Sequence, residues 1–239
     1  MTPVVFVHGF MGGSQQWQGQ VAALNGREVV PLDLPGFGDN VAVPALDSIS
    51  EYADWALAEL TRRGIDQFDL VGHSMGGMIV QDMVIRVPER VGRLVLYGTG
   101  ATGVLPGRFE TIDTSKRRAR SDGPRATARR IAATWFLKRE KADAFEGCAA
   151  IAEQCNLATI LAGLDAMEGW NGVERLTDIE ARTLVVWGDS DRTYPWDQTR
   201  QLWRMIRDAR LAVIPDCAHA AHLEKPGLFN GVLEDFLSA

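Results

Sequence analysis

The chain has 239 residues, 46% of them hydrophobic, with a net charge of −6 and a pI near 5.3. That length supports one large buried core or a core domain carrying an insertion. The acidic balance excludes nucleic acid as the main partner, because phosphate binding rests on surplus Lys and Arg.

The first residues, MTPVVFVHGF, lack the basic n-region of a secretory signal. No window reaches the roughly 18 apolar residues of a membrane span. Three cysteines, Cys148, Cys155 and Cys217, cannot build a disulfide framework, and no CxxC occurs. Reduced, buried thiols in a cytoplasmic setting are expected, with no membrane partner.

VVFVHG (4–9) reads as a buried strand, followed by a helical stretch around 16–24 and a second strand, REVVPLDL (27–34). ISEYADWALAELTRRG (49–64) has apolar residues at helical spacing and a closing Gly. FDLVGHS (68–74) is a strand, 75–87 a helix stopped by Pro88, and RLVLYG (93–98) a further strand. TLVVWG (183–188) and RLAVIP (210–215) flank a helix around 196–206, and a last helix covers about 227–237. Continuously apolar strands alternating with helices predict an α/β class fold: a parallel sheet of about six strands covered on both faces.

Residues 102–179 break the pattern. They show no strand, several helical stretches, and breaks at Gly123-Pro124, Gly147, Asn156 and Gly169. The segment reads as a helical cap inserted after the fifth strand, leaving 1–101 and 180–239 as the core domain. It is polarised: 101–141 carries a net +7 and 142–180 a net −7. Two solvated faces that attract each other explain this. A sharper alternative has Arg117, Arg118, Arg120, Arg129 or Arg130 guide an anionic substrate.

LVGHSMGGM (70–78) places Ser74 between a predicted strand and a predicted helix. A nucleophilic hydroxyl is projected by such a sharp turn, and Gly72 and Gly76 let strand and helix approach closely. Serine needs a base and an orienting acid. His73 sits inside the turn and points away from its neighbour, and His8 is placed to brace a loop. His219 and His222 follow the last strand, on the sheet edge that also holds Ser74. Asp189 and Asp191 follow another strand on that edge. Position separates neither pair. The oxyanion donors are expected to be the Met75 amide and one amide of HGFMGG, that of Phe10.

HGF (8–10), DLPGFG (33–38), GHSMGG (72–77), WGDSDRTYP (187–195) and CAHAAHLEKP (217–226) appear in this order along essentially the whole chain. In this the sequence resembles the α/β-hydrolase superfamily, in particular its small bacterial esterases and enol-lactonases. The resemblance implies Asp191 as the acid, fourth in G-x-x-D. It implies His219 as the base, five residues before the Glu of E-x-P, and leaves His222 to packing or hydrogen bonding. The meta-cleavage C–C hydrolases of the superfamily usually carry Trp where this chain has Ala220. The SHCHC synthases carry Arg where it has Met78.

The expected function is hydrolysis of a small carboxylic ester or (enol-)lactone by a Ser74–His219–Asp191 triad. Neither a metal nor an organic cofactor is expected. A lyase or C–C bond hydrolase acting on a β-keto or vinylogous acid is the alternative. A non-catalytic binding protein is a third. The partner is a small molecule, and the protein a monomer or weak homodimer. Substrate contacts are expected from Met11, Trp135, Leu161, Leu164, Met167 and Trp196, between the sheet edge and the cap.

Overall fold

The computed structural model describes residues 1–106 and 110–238. In chain order the chain forms β1 (Val4–Val7), α1 (Gln18–Ala23), β2 (Val29–Leu32), α2 (Ile49–Arg62), β3 (Phe68–His73), α3 (Met75–Arg86) and β4 (Val91–Tyr97). Four helices follow: α4 (Ile112–Asp122), α5 (Pro124–Thr134), α6 (Phe145–Ala152) and α7 (Leu157–Glu168). The chain then completes β5 (Arg182–Gly188), α8 (Trp196–Met205), β6 (Ala209–Ile214), α9 (Ala221–Glu224) and α10 (Pro226–Ser238).

The six strands form one sheet in the order β2-β1-β3-β4-β5-β6, with every pair parallel. Alternate side chains of each strand enter opposite layers, as the two-residue period of a strand dictates. Val4, Phe6, Val71, Val95 and Val186 pack with Trp17, Phe229 and Leu233. Val5, Val7, Leu70, Leu94 and Val185 pack with Tyr52, Ala56, Ile79 and Met83 from α2 and α3. The central strands therefore send apolar side chains into both layers. β6 is an edge strand and stays partly exposed, with Val213 46% accessible. The three cysteines are free and buried. No single helix among the described residues is long and apolar enough to cross a membrane.

The helical insertion follows the fourth strand rather than the fifth, because β1 is the first strand to enter the sheet and only β2, β3 and β4 come before α4. Its two ends meet at a neck. Gly172 N donates to Ala101 O at 2.7 Å and Gly103 N to Trp170 O at 3.0 Å. Past the neck, a 3-10 turn at Val173–Asp178 returns to the sheet domain, where Arg175 pairs with the buried Asp82 of α3 at 2.8 Å. The stretch 173–179 thus runs beside α3 instead of belonging to the insertion.

Gly123-Pro124, Asn156 and Gly169 end or start helices as expected. Gly147 does not: it lies inside α6, exposed, where a single glycine weakens a helix without stopping it. α4 lies against α7 and α5 against α6. These contacts join the basic half to the acidic half. Lys116 reaches Asp165 and Glu168 at 2.5 Å, Arg125 reaches Glu153 at 3.1 Å, and Arg129 reaches Glu146 at 2.7 Å and Glu153 at 3.0 Å. The charge polarity is spent on holding the helices to one another.

Candidate active site

Ser74, Asp191 and His219 follow β3, β5 and β6 at the same sheet edge. Ser74 adopts φ 55° and ψ −120°, a conformation that costs a non-glycine residue energy and is found where a side chain must project. Its neighbours make the turn possible. A Cβ on Gly72 would lie 2.5 Å from Gly76 O, and one on Gly76 would lie 2.2 Å from Val7 O. The turn is braced by Ser74 N donating to Tyr97 O at 3.0 Å and Thr99 Oγ1 donating to Ser74 O at 2.7 Å.

Asp191 Oδ2 accepts from His219 Nδ1 at 2.8 Å. Its other oxygen accepts the Thr193 and Tyr194 amides at 2.7 and 3.1 Å. A carboxylate only accepts, so the imidazole proton sits on Nδ1 and Nε2 is left with a lone pair. The His219 ring is stacked on Tyr194, centroids 5.6 Å apart and planes 18° apart, and packs on His73 at 4.5 Å. Any side chain at Gly98 would begin 3.1 Å from His219 Nδ1, so glycine keeps room for the imidazole.

Ser74 and His219 line one narrow cavity of about 30 Å³ with Gly9, Phe10, Gln16 and His73. No hydrogen bond joins the Ser74 hydroxyl to His219 among the described residues. Contacts of this kind are often long without substrate and tighten when it binds. Among the described residues, the amides of Phe10 and Met75 donate to no acceptor. Buried backbone N–H groups are almost always paired, so two unpaired donors beside one hydroxyl fit an anion-stabilising role.

The remaining wall of the cavity is Gly103, Leu105, Ile112, Ile131, Thr134, Trp135, Met167, Thr193 and Tyr194. Trp135 and Met167 line it as the sequence predicts. Met11, Leu161, Leu164 and Trp196 do not. Met11 is wholly buried in the core, on a backbone turned to φ 59°. Leu164 is buried and Leu161 half-buried in the packing around α7. Trp196 is exposed at the start of α8, its ring 5.4 Å from that of Trp187.

Missed by sequence reasoning were Leu105, Ile112, Ile131 and Thr193, whose types signal only packing or a turn, and Tyr194, three residues after Asp191. Among the described residues that line the cavity there is no lysine or arginine. Arg117, Arg118 and Arg130 are paired with Asp113, Glu110 and Glu110 respectively. Arg120 and Arg129 do not line the cavity either.

The other three histidines support the site. Leu34 N donates to His8 Nε2 at 3.0 Å, and His8 Nδ1 donates to Gly9 O at 2.7 Å, which braces the loop after β1. His73 lines part of the cavity wall. Its Nε2 donates to the His219 carbonyl at 3.0 Å, and Tyr97 Oη donates to the same oxygen at 2.7 Å. His222 Nδ1 lies 3.1 Å from Tyr97 Oη, and its other nitrogen is buried and unpartnered.

Burial pushes the imidazoles of His8 and His73 below the usual range, with His219 and His222 adding to the effect at His73. Burial takes His222 down to about 3. A histidine neutral in the fold and freely protonated in the unfolded chain destabilises the fold as pH falls. Between the ordinary histidine pKa and about 3, the unfolded chain binds the extra proton, so His222 should cost about 1.4 kcal/mol of stability per pH unit of acidification. Urea unfolding from pH 7 to 4.5 measures that slope, and a His222→Gln variant should flatten it. An unchanged slope in the variant would contradict the assignment.

Residues 4–232 match the sequence model of the alpha/beta hydrolase family. The chain is 28% identical over 258 residues to the 2-hydroxy-6-oxo-6-phenylhexa-2,4-dienoate hydrolase of Comamonas testosteroni, covering 98% of this chain and 87% of that one. Among solved structures, it matches the enol-lactonase from Burkholderia xenovorans LB400 with TM-score 0.91 and 23% identity, over 100% of this chain and 92% of that one. A thermophilic esterase from Thermogutta terrifontis matches with TM-score 0.89 and 24% identity, over 100% and 90%. These last two likenesses are of fold. The family match spans nearly all of the chain and every strand of the sheet that carries the serine turn, and the chain belongs to the alpha/beta hydrolase family.

Proposed function

We propose that the protein is a serine hydrolase of small, uncharged carboxylic esters or lactones. The observation that carries the reading is the Asp191–His219 pair at 2.8 Å, with the imidazole lining the same cavity as Ser74 and Phe10. His219 Nε2 takes the proton of Ser74 as its oxygen attacks the carbonyl carbon. Asp191 keeps the proton on Nδ1 and stabilises the imidazolium that forms. The Phe10 and Met75 amides receive the oxyanion, helped by the positive end of α3. His219 then protonates the departing alcohol or enol, and water cleaves the acyl-enzyme by the same steps in reverse order. The four helices of the insertion act as a cap that keeps bulk water off the acyl group.

The choice of an uncharged substrate rests on the wall. Leu105, Ile112, Ile131, Trp135 and Met167 offer apolar contact, and the described lining residues include no lysine or arginine to meet a buried carboxylate, whose unpaired burial costs far more than a methyl group gains. The competing reading is C–C bond hydrolysis of a dienoate by the same three residues, favoured by the 28% identity to the Comamonas testosteroni enzyme. The substrate type separates the two. Turnover of p-nitrophenyl butyrate at a kcat/KM at least 100-fold above that of p-nitrophenyl hemisuccinate, without dienoate cleavage, is expected. Dienoate cleavage exceeding ester turnover would overturn the ester assignment.

A further inference from the structure

The loop that carries His219 is held from the outside by one carboxylate. Ala218 N donates to Glu224 Oε2 at 2.7 Å, and Leu137 N donates to Glu224 Oε1 at 2.8 Å. On the other side of the histidine, Ala220 N donates to Trp135 O at 2.9 Å. The amides of both residues that flank His219, Ala218 and Ala220, are therefore tied to residues 135–137, the turn that follows α5. One tie is direct and the other runs through Glu224. The ring end of this connection is functional, since Trp135 lines the cavity beside Ser74 and His219.

Glu224 makes no ion pair among the described residues, so both of its oxygens serve these two amides. An ionised carboxylate is the one short side chain with two acceptor atoms and no donor, and amide hydrogen bonds to it are stronger than neutral ones. Packing does not duplicate the link. A second cavity of about 190 Å³ opens there, lined by Phe136, Leu137, Ala144, Leu223, Glu224 and Lys225. The carboxylate spans a gap where side chains do not fill the space.

We infer that Glu224 is a positioning residue that fixes the His219 loop against the Trp135 wall of the acyl pocket, so that base and bound acyl group keep one spacing. The inference rests on the reading of His219 as the general base. A displacement of about 1 Å between reacting groups is enough to cost two orders of magnitude in rate.

The test uses the full chain with Glu224→Gln and Glu224→Asp. In Gln an NH₂ replaces one acceptor and faces an N–H donor. Asp keeps the charge but is one methylene shorter and reaches one amide. For p-nitrophenyl butyrate, kcat should fall 10- to 100-fold in the Gln variant and less in the Asp variant. KM should change less than threefold. The second-order rate of fluorophosphonate labelling should fall with kcat, when both are normalised to the folded fraction measured by near-UV circular dichroism.

Normalised kcat and labelling within twofold of the wild type in both variants would overturn the inference. So would a loss confined to KM, which would make Glu224 part of the binding wall only. A wild type that neither labels nor turns over esters defeats the hydrolase reading, and this inference with it. A reactive wild type with unaffected variants defeats this inference alone.

Discussion

Ser74→Ala should lower kcat for a short p-nitrophenyl ester by about 10⁶-fold, the loss seen when the nucleophile of such a triad is removed. Among the described residues the Ser74 hydroxyl has no hydrogen-bond partner, so its removal leaves none of them stranded. Alanine also keeps the Cβ, so the backbone strain at φ 55° is neither added nor relieved. The variant should therefore melt within about 2 °C of the wild type, which for a domain of this size corresponds to less than about 1 kcal/mol. Initial-rate assays and calorimetry on the same preparations check both parts. Ester turnover within tenfold of the wild type would move the chemistry away from this residue.

Asp191→Asn should cost about 10⁴-fold in kcat, with little change in KM. The three partners of the carboxylate are all donors: the Thr193 and Tyr194 amides on Oδ1 and His219 Nδ1 on Oδ2. An asparagine has one acceptor oxygen. If that oxygen stays with the two backbone amides, the NH₂ faces His219 Nδ1 and drives the proton to Nε2. The imidazole then has no lone pair towards Ser74, although its position is unchanged. Steady-state kinetics and a crystal structure of the variant together check this. A loss below tenfold would mean that Asp191 holds the loop without setting the tautomer.

The strands were legible because a sheet covered on both faces needs uninterrupted apolar runs, as in VVFV and LVLY, and such runs are rare elsewhere in the chain. Ser74 was legible because the elbow needs small residues at two fixed offsets, a demand that packing alone does not make. Asp191 and His219 could be narrowed to pairs by strand order, but the choice within each pair came only from the resemblance to a family. Spacing carries no information on which of two neighbouring side chains turns inward. The structure puts Asp191 beside His219 and leaves His222 with Tyr97.

The pocket wall was the least legible part. Ile112, Ile131, Leu161 and Leu164 are all apolar residues on amphipathic helices, and the sequence pattern is the same whether the stripe faces a cavity or a neighbouring helix. The crossing of α4 and α5 over α7 and α6 decides it, bringing the first two to the cavity and sending the last two into the packing. The charge pattern of the insertion was visible in the sequence, and its use became clear only from which helices touch. Gly147 failed as a break because a glycine on a solvent-facing position costs less than α6 gains by burying Phe145, Cys148 and Ile151.

The central claim is that Ser74 is the nucleophile activated by His219. The most direct measurement is mass spectrometry of the intact and digested protein after reaction with one equivalent of a fluorophosphonate. The account predicts a single adduct on the peptide containing Ser74, formed in the wild type and lost in a folded His219→Ala variant. An unmodified wild type, an adduct on another residue, or undiminished labelling of Ser74 without His219 would contradict it.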